Sequence, residues 1–349
     1  MAALLAWCCA SAGAARIGGH ARQAVPGARI RAYWVRHGTS CANILKEFEL
    51  LGKFTQHLVA DPSLTDCAIE HSRVLGQRIM GAIAEENPAW KADVLVFSSA
   101  LVRAMETAFY SFVNSSKPGP PVFPIPFVGE LHSWLPDNRP QSWLEQRDKL
   151  RTSPGRDCSI LSHIHFERGV NDHDPDAEAS YTRFLDEFPG ILSHLAGQWL
   201  PRGAVAWGVP IPVVIVSHSG FMDRHLGCAG SARHPLNNEA WVREYTATLL
   251  AGPLGPGDGR PAGVERARAP PMAEAGGGCG RPLVENASST WPRYVGKPSG
   301  CFSQASPCGH DIARCGFDKD KFDADPSESC CWGPPHVVRP RDASSADGA

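Results

Sequence analysis

Residues 30–43 read IRAYWVRHGTSCAN and combine a strand-like run with a reactive triplet. The apolar residues up to Val35 are typical of a buried β-strand, which ends abruptly in Arg36, His37 and Gly38. An imidazole can act as a nucleophile, and a guanidinium can bind an anion. Glycine lets backbone N–H groups approach the same anion. The stretch therefore predicts an anion site at the end of a strand.

Polar side chains follow three further strand-like runs in the same way. These runs and the residues after them are 94–97 with Arg103, 122–128 with Glu130, and 211–216 with His218. Helical patterns alternate with the strands, which predicts an α/β protein, a three-layer α/β/α sandwich with a mostly parallel central sheet. Because ligands bind at the carboxyl ends of the strands in such sheets, these side chains are expected to converge on His37.

Two helices are predicted in detail. Thr65 or Asp66 caps the first, which ends near Glu86. Its predicted core positions are Ile69, Val74, Ile79, Met80 and Ile83. The second is an amphipathic helix within residues 177–200, with one apolar face.

The remaining segments are predicted more coarsely. The run VFPIPFV contains Pro124 and Pro126, which cannot donate to a central ladder, so it is predicted to be an edge strand or an extended segment that leads to Glu130. Residues 239–250 fit a last, mostly buried strand, whereas residues 131–174 are polar and irregular. Residues 131–199 are expected to form the lid that selects the substrate.

Composition and charge limit the possible domains and partners. Residues 30–252 are predicted to form one folded domain. The leader (1–29) is predicted to be a disordered or a targeting segment. The Pro/Gly-rich linker and cysteine-rich tail (253–349) are open to three interpretations, a disordered extension, a small disulfide-stapled module or a metal site. A net charge of −2 gives no reason to expect nucleic acid as a partner. No apolar run reaches the roughly 18 residues of a membrane span. The short apolar N-terminus lacks a basic start, so the compartment stays open, with the cytoplasm favoured over secretory or organellar entry.

The chemistry of these residues points to an oxyanion. Arginine forks match phosphate oxygens, and Arg36 and Arg103 would also keep a nearby imidazole neutral. A neutral His37 could attack phosphorus, and Glu130 could protonate the leaving oxygen and later activate water. His218 could stabilise charge on the transferring group.

Four motifs in order, RHGTSCAN, SSALVRAMET, the glutamate after VFPIPFV, and VSHSGFM, resemble the signatures of the histidine phosphatase (phosphoglycerate mutase-like) superfamily. The resemblance covers roughly residues 30–250. It implies a phosphohistidine mechanism without metal or cofactor, acting on a phosphorylated small molecule or a phosphoprotein. The catalytic residues that it implies are His37, Glu130 and His218. The substrate-binding residues that it implies are Arg36, Ser40, Asn43, Arg103 and Ser219.

Alternatives remain at the level of activity and of single residues. Glu130 is followed by LHSWLPDNRP rather than by a basic, glycine-rich segment, which favours a phosphatase over a phosphoglycerate-type mutase. A non-catalytic phospho-ligand-binding or scaffold protein with the same fold is a further alternative. Asp137 and Glu106 are alternative positions for the acid. Ser99 and Ser217 are expected to cap or orient their neighbours.

Overall fold

The computed structural model describes residues 23–40, 42–43, 57, 59–113, 120–132, 134–152, 160–165, 179–201, 204, 208–226, 240–251, 271–274 and 281–282. The strands in these ranges are β1 (Gln23–Arg36), β2 (Leu95–Ser99), β3 (Val122–Ile125), β4 (Ile211–Ser217), β5 (Ala240–Ala251), β6 (Ala273–Glu274) and β7 (Arg281–Pro282). The helices in the same ranges are α1 (Asp66–Glu86), α2 (Val102–Phe112), α3 (Trp143–Thr152), α4 (Ile160–His163), α5 (Tyr181–Trp199) and α6 (Ser219–His225).

The strands form one mixed sheet in the order β3-β2-β4-β1-β5-β6, with β7 also paired to β5. The pairs β3–β2, β2–β4 and β4–β1 are parallel, whereas β5 runs antiparallel to β1, β6 and β7. The α/β class is confirmed, but the sheet is mostly parallel only across β1 to β4. An antiparallel edge on a parallel sheet is common, because an edge strand needs no crossover helix to pair.

Helices cover both faces of this sheet. Alternate residues of β1 point to opposite sides, and the two sides belong to separate apolar clusters. Ile30 and Trp34 pack in the cluster that contains α5, whereas Tyr33 and Val35 pack in the cluster that contains α1 and α2. The three-layer α/β/α architecture is therefore confirmed.

The predicted helices lie where the patterns place them. The Thr65 side chain accepts a hydrogen bond from the Ala68 N–H at 3.2 Å and caps α1, which ends at Glu86. One core position is wrong, because Met80 is 43% exposed while Leu75 is buried. Helix α1 buries a single stripe on α2, and Met80 falls outside that stripe.

The strands differ from prediction mainly at the ends of the domain. β3 is an edge strand, as its prolines predict. β1 begins at Gln23, inside the predicted leader, and continues past β4 to pair with β5. The short strands β6 and β7 lie inside the predicted linker, while the cysteines of the tail lie outside the described residues.

Residues 131–174, predicted to be irregular, contain α3 and the short α4. The polar sequence of α3 gives little helical periodicity, so its pattern did not reveal it. No helix in the described ranges is long and apolar enough to cross a membrane.

Candidate active site

Four polar side chains that the sequence singles out meet at one edge of the sheet. His37 follows β1, His218 follows β4, Arg103 lies in the first turn of α2, and Glu130 comes just after β3 and a short 3₁₀ turn. The two imidazole rings lie 4.8 Å apart between centroids. Because β1 to β4 are parallel, their carboxyl ends bring these side chains together from segments far apart in sequence.

His37 is held in one tautomer. Its Nδ1 lies 2.6 Å from the Gly38 carbonyl oxygen, which can only accept, so Nδ1 carries the proton. The Nε2 atom therefore offers a lone pair, to which Arg103 Nε donates at 3.2 Å. Burial, followed by the charges of Arg103 and Arg36, lowers the pKa of His37 well below its ordinary value. The ring is thus neutral, and its unprotonated nitrogen faces the Arg103 guanidinium.

Arg103 occupies the centre of the cluster. Its Nη1 donates to the Asp137 carbonyl oxygen at 2.5 Å, and its Nη2 donates to Asn138 Oδ1 at 3.3 Å. The same Nη2 lies 3.4 Å from His218 Nδ1. Burial lowers the pKa of Arg103, while the nearby carboxylates, Glu130 foremost, act in the opposite direction. A guanidinium stays charged in proteins, so a fixed positive charge lies between the two histidines.

His218 is buried and anchored from behind. Its Nε2 lies 2.6 Å from Ser99 Oγ, and because Arg103 donates toward Nδ1, the proton belongs on Nε2 and Ser99 accepts it. Burial and then the charges of Arg103, His37 and Arg36 lower the pKa of His218. Ser99 orients this imidazole, in agreement with the role predicted for it. Ser217 likewise bonds a neighbour, donating to the Val128 carbonyl oxygen at 2.8 Å.

Glu130 is the carboxylate that faces the histidines. Its Oε2 lies 3.9 Å from His218 Nδ1, and its Oε1 accepts from the Leu131 N–H at 3.0 Å. Burial raises the pKa of Glu130, and the charge of Arg103 only partly offsets that effect. A side chain at Gly220 would place its Cβ 2.3 Å from Oε1, so this glycine leaves the room that the carboxyl group occupies.

The two alternative acids are engaged elsewhere. Glu106 is buried and its Oε2 accepts from the Leu64 N–H at 2.6 Å. Asp137 directs Oδ1 to His57 Nδ1 at 2.7 Å and reaches Arg103 only through its backbone oxygen. Glu130 is therefore the acid that the geometry favours.

The other predicted substrate-binding residues lie close in sequence to the central group. Ser40 Oγ and its backbone N–H both donate to Asn43 Oδ1 at 3.0 Å, so these two side chains brace each other in the turn after Gly38. Ser219 is the first residue of α6, directly after His218. Their contacts with a substrate stay predictions. Arg36 is partly exposed, and its charge acts on both histidines and on Glu130.

Asp61, which no motif of the sequence singles out, supports the helix that carries Arg103. Its Oδ1 accepts from the Val102 N–H at 2.8 Å, capping α2 one residue before Arg103, and its Oδ2 accepts from Gln146 Nε2 at 2.8 Å. The sequence offered one indication of this contact. Leu101, at the N-cap of α2, has no polar side chain that could accept a hydrogen bond from the first turn of the helix. A helix start of this kind needs an acceptor from another segment.

Thr107 was also missed, although its position follows from helix geometry. It lies one turn after Arg103, donates to the Arg103 carbonyl oxygen at 2.7 Å, and accepts from the Gly38 N–H at 2.9 Å. Thr107 thereby links α2 to the backbone beside His37. The spacing of four residues was the available signal.

The charges of the site favour an anion over a metal ion. His37, Glu130 and His218 have ligand atoms within 4.8 Å of one another, a spacing that could hold a cation. However, the positive charges of Arg103 and Arg36 act on both histidines and would repel a bound cation. Two guanidinium groups beside two imidazoles and one carboxyl group instead fit an oxyanion such as phosphate.

No protein-family model and no curated protein matches this chain. Among solved structures, the chain is similar to a protein described as an alpha-ribazole-5'-P phosphatase from Escherichia coli K-12, with 17% identity and a TM-score of 0.32, over 63% of this chain and 94% of that one. A phosphoglycerate mutase from Bacillus anthracis gives 17% identity, a TM-score of 0.33 and coverage of 66% and 94%. A mycobacterial glucosyl-3-phosphoglycerate phosphatase gives 14% identity and a TM-score of 0.23, over 64% of this chain and 98% of that one. These neighbours are of the superfamily that the motifs resemble, but at such TM-scores the likeness carries no argument about function.

Proposed function

We propose that this protein is a phosphatase that hydrolyses a phosphate monoester through a phosphohistidine at His37. The observation that carries the proposal is the neutral His37 ring, anchored at Nδ1 and presenting Nε2 to Arg103, with the charge of Arg36 acting on the same ring. A neutral imidazole beside fixed positive charge is suited to attack on phosphorus, because the same cations that suppress its protonation also bind the phosphate oxygens.

In the first step, the Nε2 lone pair of His37 forms a bond to phosphorus and the bond to the leaving oxygen breaks. Glu130 gives its proton to that oxygen. Its raised pKa keeps a larger fraction protonated near neutral pH than an exposed glutamate would have. Arg103 and Arg36 neutralise the charge on the transferring phosphoryl oxygens, and His218 lies against the same position.

In the second step, water attacks the phosphohistidine. Glu130, now a carboxylate, takes the proton from the water as its oxygen bonds to phosphorus. The bond from phosphorus to Nε2 breaks, phosphate leaves, and His37 returns to its neutral form. One carboxyl group thus serves as acid and then as base, and the cycle consumes only the ester and water.

Replacement of the nucleophile tests the proposal directly. We expect His37→Ala to lose essentially all turnover of an aryl phosphate, because the uncatalysed hydrolysis of phosphate monoesters is extremely slow. His194→Ala, a change on the outer part of α5, is the matched control and should retain full activity. Normal turnover by His37→Ala contradicts the proposal.

Trapping the intermediate separates this mechanism from direct attack by water. Wild-type enzyme mixed with a radiolabelled ester and denatured in alkali should carry label on His37, and His37→Ala should carry none. Product analysis decides between hydrolysis and a mutase reaction, since a mutase moves the phosphoryl group within one sugar acid and releases little free phosphate.

A further inference from the structure

The segment directly after Glu130 presents an aromatic surface that the mechanism above does not use. Trp134 is 75% exposed, the most exposed large apolar side chain among the described residues. The His132 ring lies against it in an edge-to-face arrangement, with centroids 6.3 Å apart. Tryptophan usually buries most of its ring, so a ring left this open beside a reactive site suggests a binding surface.

The described residues of this aromatic loop, 131–132 and 134–138, are attached to the site at both ends of the segment. The Leu131 N–H donates to Glu130 Oε1 at 3.0 Å. Asn138 accepts from Arg103 Nη2 at 3.3 Å and donates from Nδ2 to the Leu131 carbonyl oxygen at 3.1 Å. Asn138 therefore joins the arginine to the residue that follows the acid. A fully extended chain would separate the Cα atoms of Glu130 and Trp134 by at most about 14 Å.

Within the aromatic loop the backbone is tightly folded and strained. The Leu135 N–H bonds to the His132 carbonyl oxygen at 3.0 Å, and the Asn138 N–H bonds to the Leu135 carbonyl oxygen at 2.9 Å. His132 adopts a positive φ of 61°, which is unfavourable for a residue with a side chain. Strain of this kind is maintained where the surrounding structure requires it, and it concentrates at ligand-binding sites.

Two polar side chains among the described residues of the aromatic loop already have partners. The Asn138 side chain is shared between Arg103 and Leu131, and the Asp137 carboxylate is bonded to His57. A hydroxyl-rich leaving group would need polar partners of its own, because buried hydroxyl groups must be hydrogen-bonded. Trp134 instead offers the face of a ring, which prefers another ring.

We propose that Trp134, supported by His132, is the stacking surface for a planar aromatic leaving group, so that the substrate class is a phosphate monoester carrying an aromatic ring close to the phosphate. That the bound compound is a substrate rests on the proposed function. The stacking contact between Trp134 and an aromatic ring does not depend on it. A saturated ring of similar size would gain apolar contact with Trp134 without the preference for stacking.

The test uses two pairs of matched ligands. Benzylphosphonate and cyclohexylmethylphosphonate cannot be hydrolysed, and their affinities for the full chain are measured by calorimetry. Benzyl phosphate and cyclohexylmethyl phosphate, both esters of primary alcohols, give kcat/KM. We expect Trp134→Ala to lose about three- to tenfold in affinity and in kcat/KM for the benzyl compounds, and less than twofold for the cyclohexylmethyl compounds.

Two further variants control for general effects on the surface. Trp134→Phe should restore most of the benzyl preference, because it keeps an aromatic face. Leu144→Ala removes another exposed apolar side chain, from α3, and should leave the preference unchanged. Equal losses for both ligands in Trp134→Ala, or no loss for either, overturn the inference. If neither ester is hydrolysed but the phosphonates show the expected difference, the proposed function fails and the binding surface stands.

Discussion

Two buried polar clusters lie at different places in the same sheet, and they differ in how their charges are balanced. At the ends of the parallel strands, the candidate site gathers two arginines and two neutral histidines around one carboxyl group. Near the antiparallel edge, Arg243 pairs with Glu274, which also accepts from the Tyr181 hydroxyl at 2.5 Å. The Tyr181 hydroxyl lies 3.3 Å from that of Tyr245.

The difference separates a structural cluster from a reactive one. In the edge cluster, one positive and one negative charge cancel, and burial raises the pKa of Tyr245 to about 12, so that its hydroxyl stays neutral. In the candidate site, guanidinium groups and carboxyl groups lie beside two neutral histidines, and burial shifts the pKa of His37 down and that of Glu130 up. Because strongly shifted titratable groups concentrate at functional sites, a cluster of this kind is explained best by a ligand that binds there.

The largest difference in activity is expected between two variants, each of which replaces one buried arginine by glutamine. Arg103→Gln should lower kcat/KM for an aryl phosphate by about 10³-fold or more, because it removes a fixed positive charge from the transferring group. Arg243→Gln should keep kcat/KM within about twofold but lower the free energy of unfolding by about 1–3 kcal/mol, because Glu274 loses its partner. Activity assays and urea denaturation of both variants measure this contrast. Equal loss of activity in both would break the distinction between the clusters.

An intermediate effect is expected from Glu130 and from pH. Because the proton donor must be protonated, kcat/KM should fall as pH rises through the raised pKa of Glu130. Because His37 must be neutral and its pKa is lowered, activity should persist as pH falls well below 6.5. Glu130→Gln should slow hydrolysis of an alkyl phosphate by about 10²- to 10⁴-fold and remove the alkaline decline.

A substrate with a good leaving group provides the control for that prediction. 4-Nitrophenyl phosphate needs little proton donation, so the loss in Glu130→Gln should be much smaller for this ester. If both esters lose equally, the role of Glu130 as proton donor is wrong, and its carboxyl group only holds the Leu131 backbone.

The smallest effect is expected from the edge cluster. Tyr181→Phe removes one hydroxyl and should lower the free energy of unfolding by about 1 kcal/mol, since Glu274 retains Arg243. Its kcat/KM should stay at the wild-type value. Thermal unfolding monitored beside an activity assay measures both quantities, and a substantial loss of activity would show that the edge cluster communicates with the site.

The central part of the fold and site could be predicted because local pattern and chemistry agree there. The strand before His37, the N-cap of α1, and the four strand ends each carry a strong local signal, and the parallel topology then brings His37, Arg103, Glu130 and His218 together. Within the proline-bearing run 122–128, the edge strand that Pro124 predicts covers Val122–Ile125, and Pro126–Val128 form a 3₁₀ turn.

The remainder depends on contacts between distant segments. Asp61 lies 41 residues before Val102, whose N–H donates to the Asp61 side chain at the start of α2. No local sequence pattern predicts this hydrogen bond. β1 extends to Gln23 because β5 pairs with it there, and β6 and β7 form because β5 offers them an edge. The composition of residues 253–349 predicted a linker and tail without strands. The strands β6 and β7 in this range are two residues long, which is too short to produce a periodic pattern in the sequence.

The strand order has a consequence for how the protein is made. β1 is among the first described elements to leave the ribosome, but its two neighbours, β4 and β5, begin at Ile211 and Ala240. Until those residues are synthesised, the apolar strand that ends in His37 has both edges unpaired. Contacts that span such long separations slow folding and leave open strand edges available for wrong pairing. The residue that would carry out the chemistry thus directly follows a strand whose sheet is completed late.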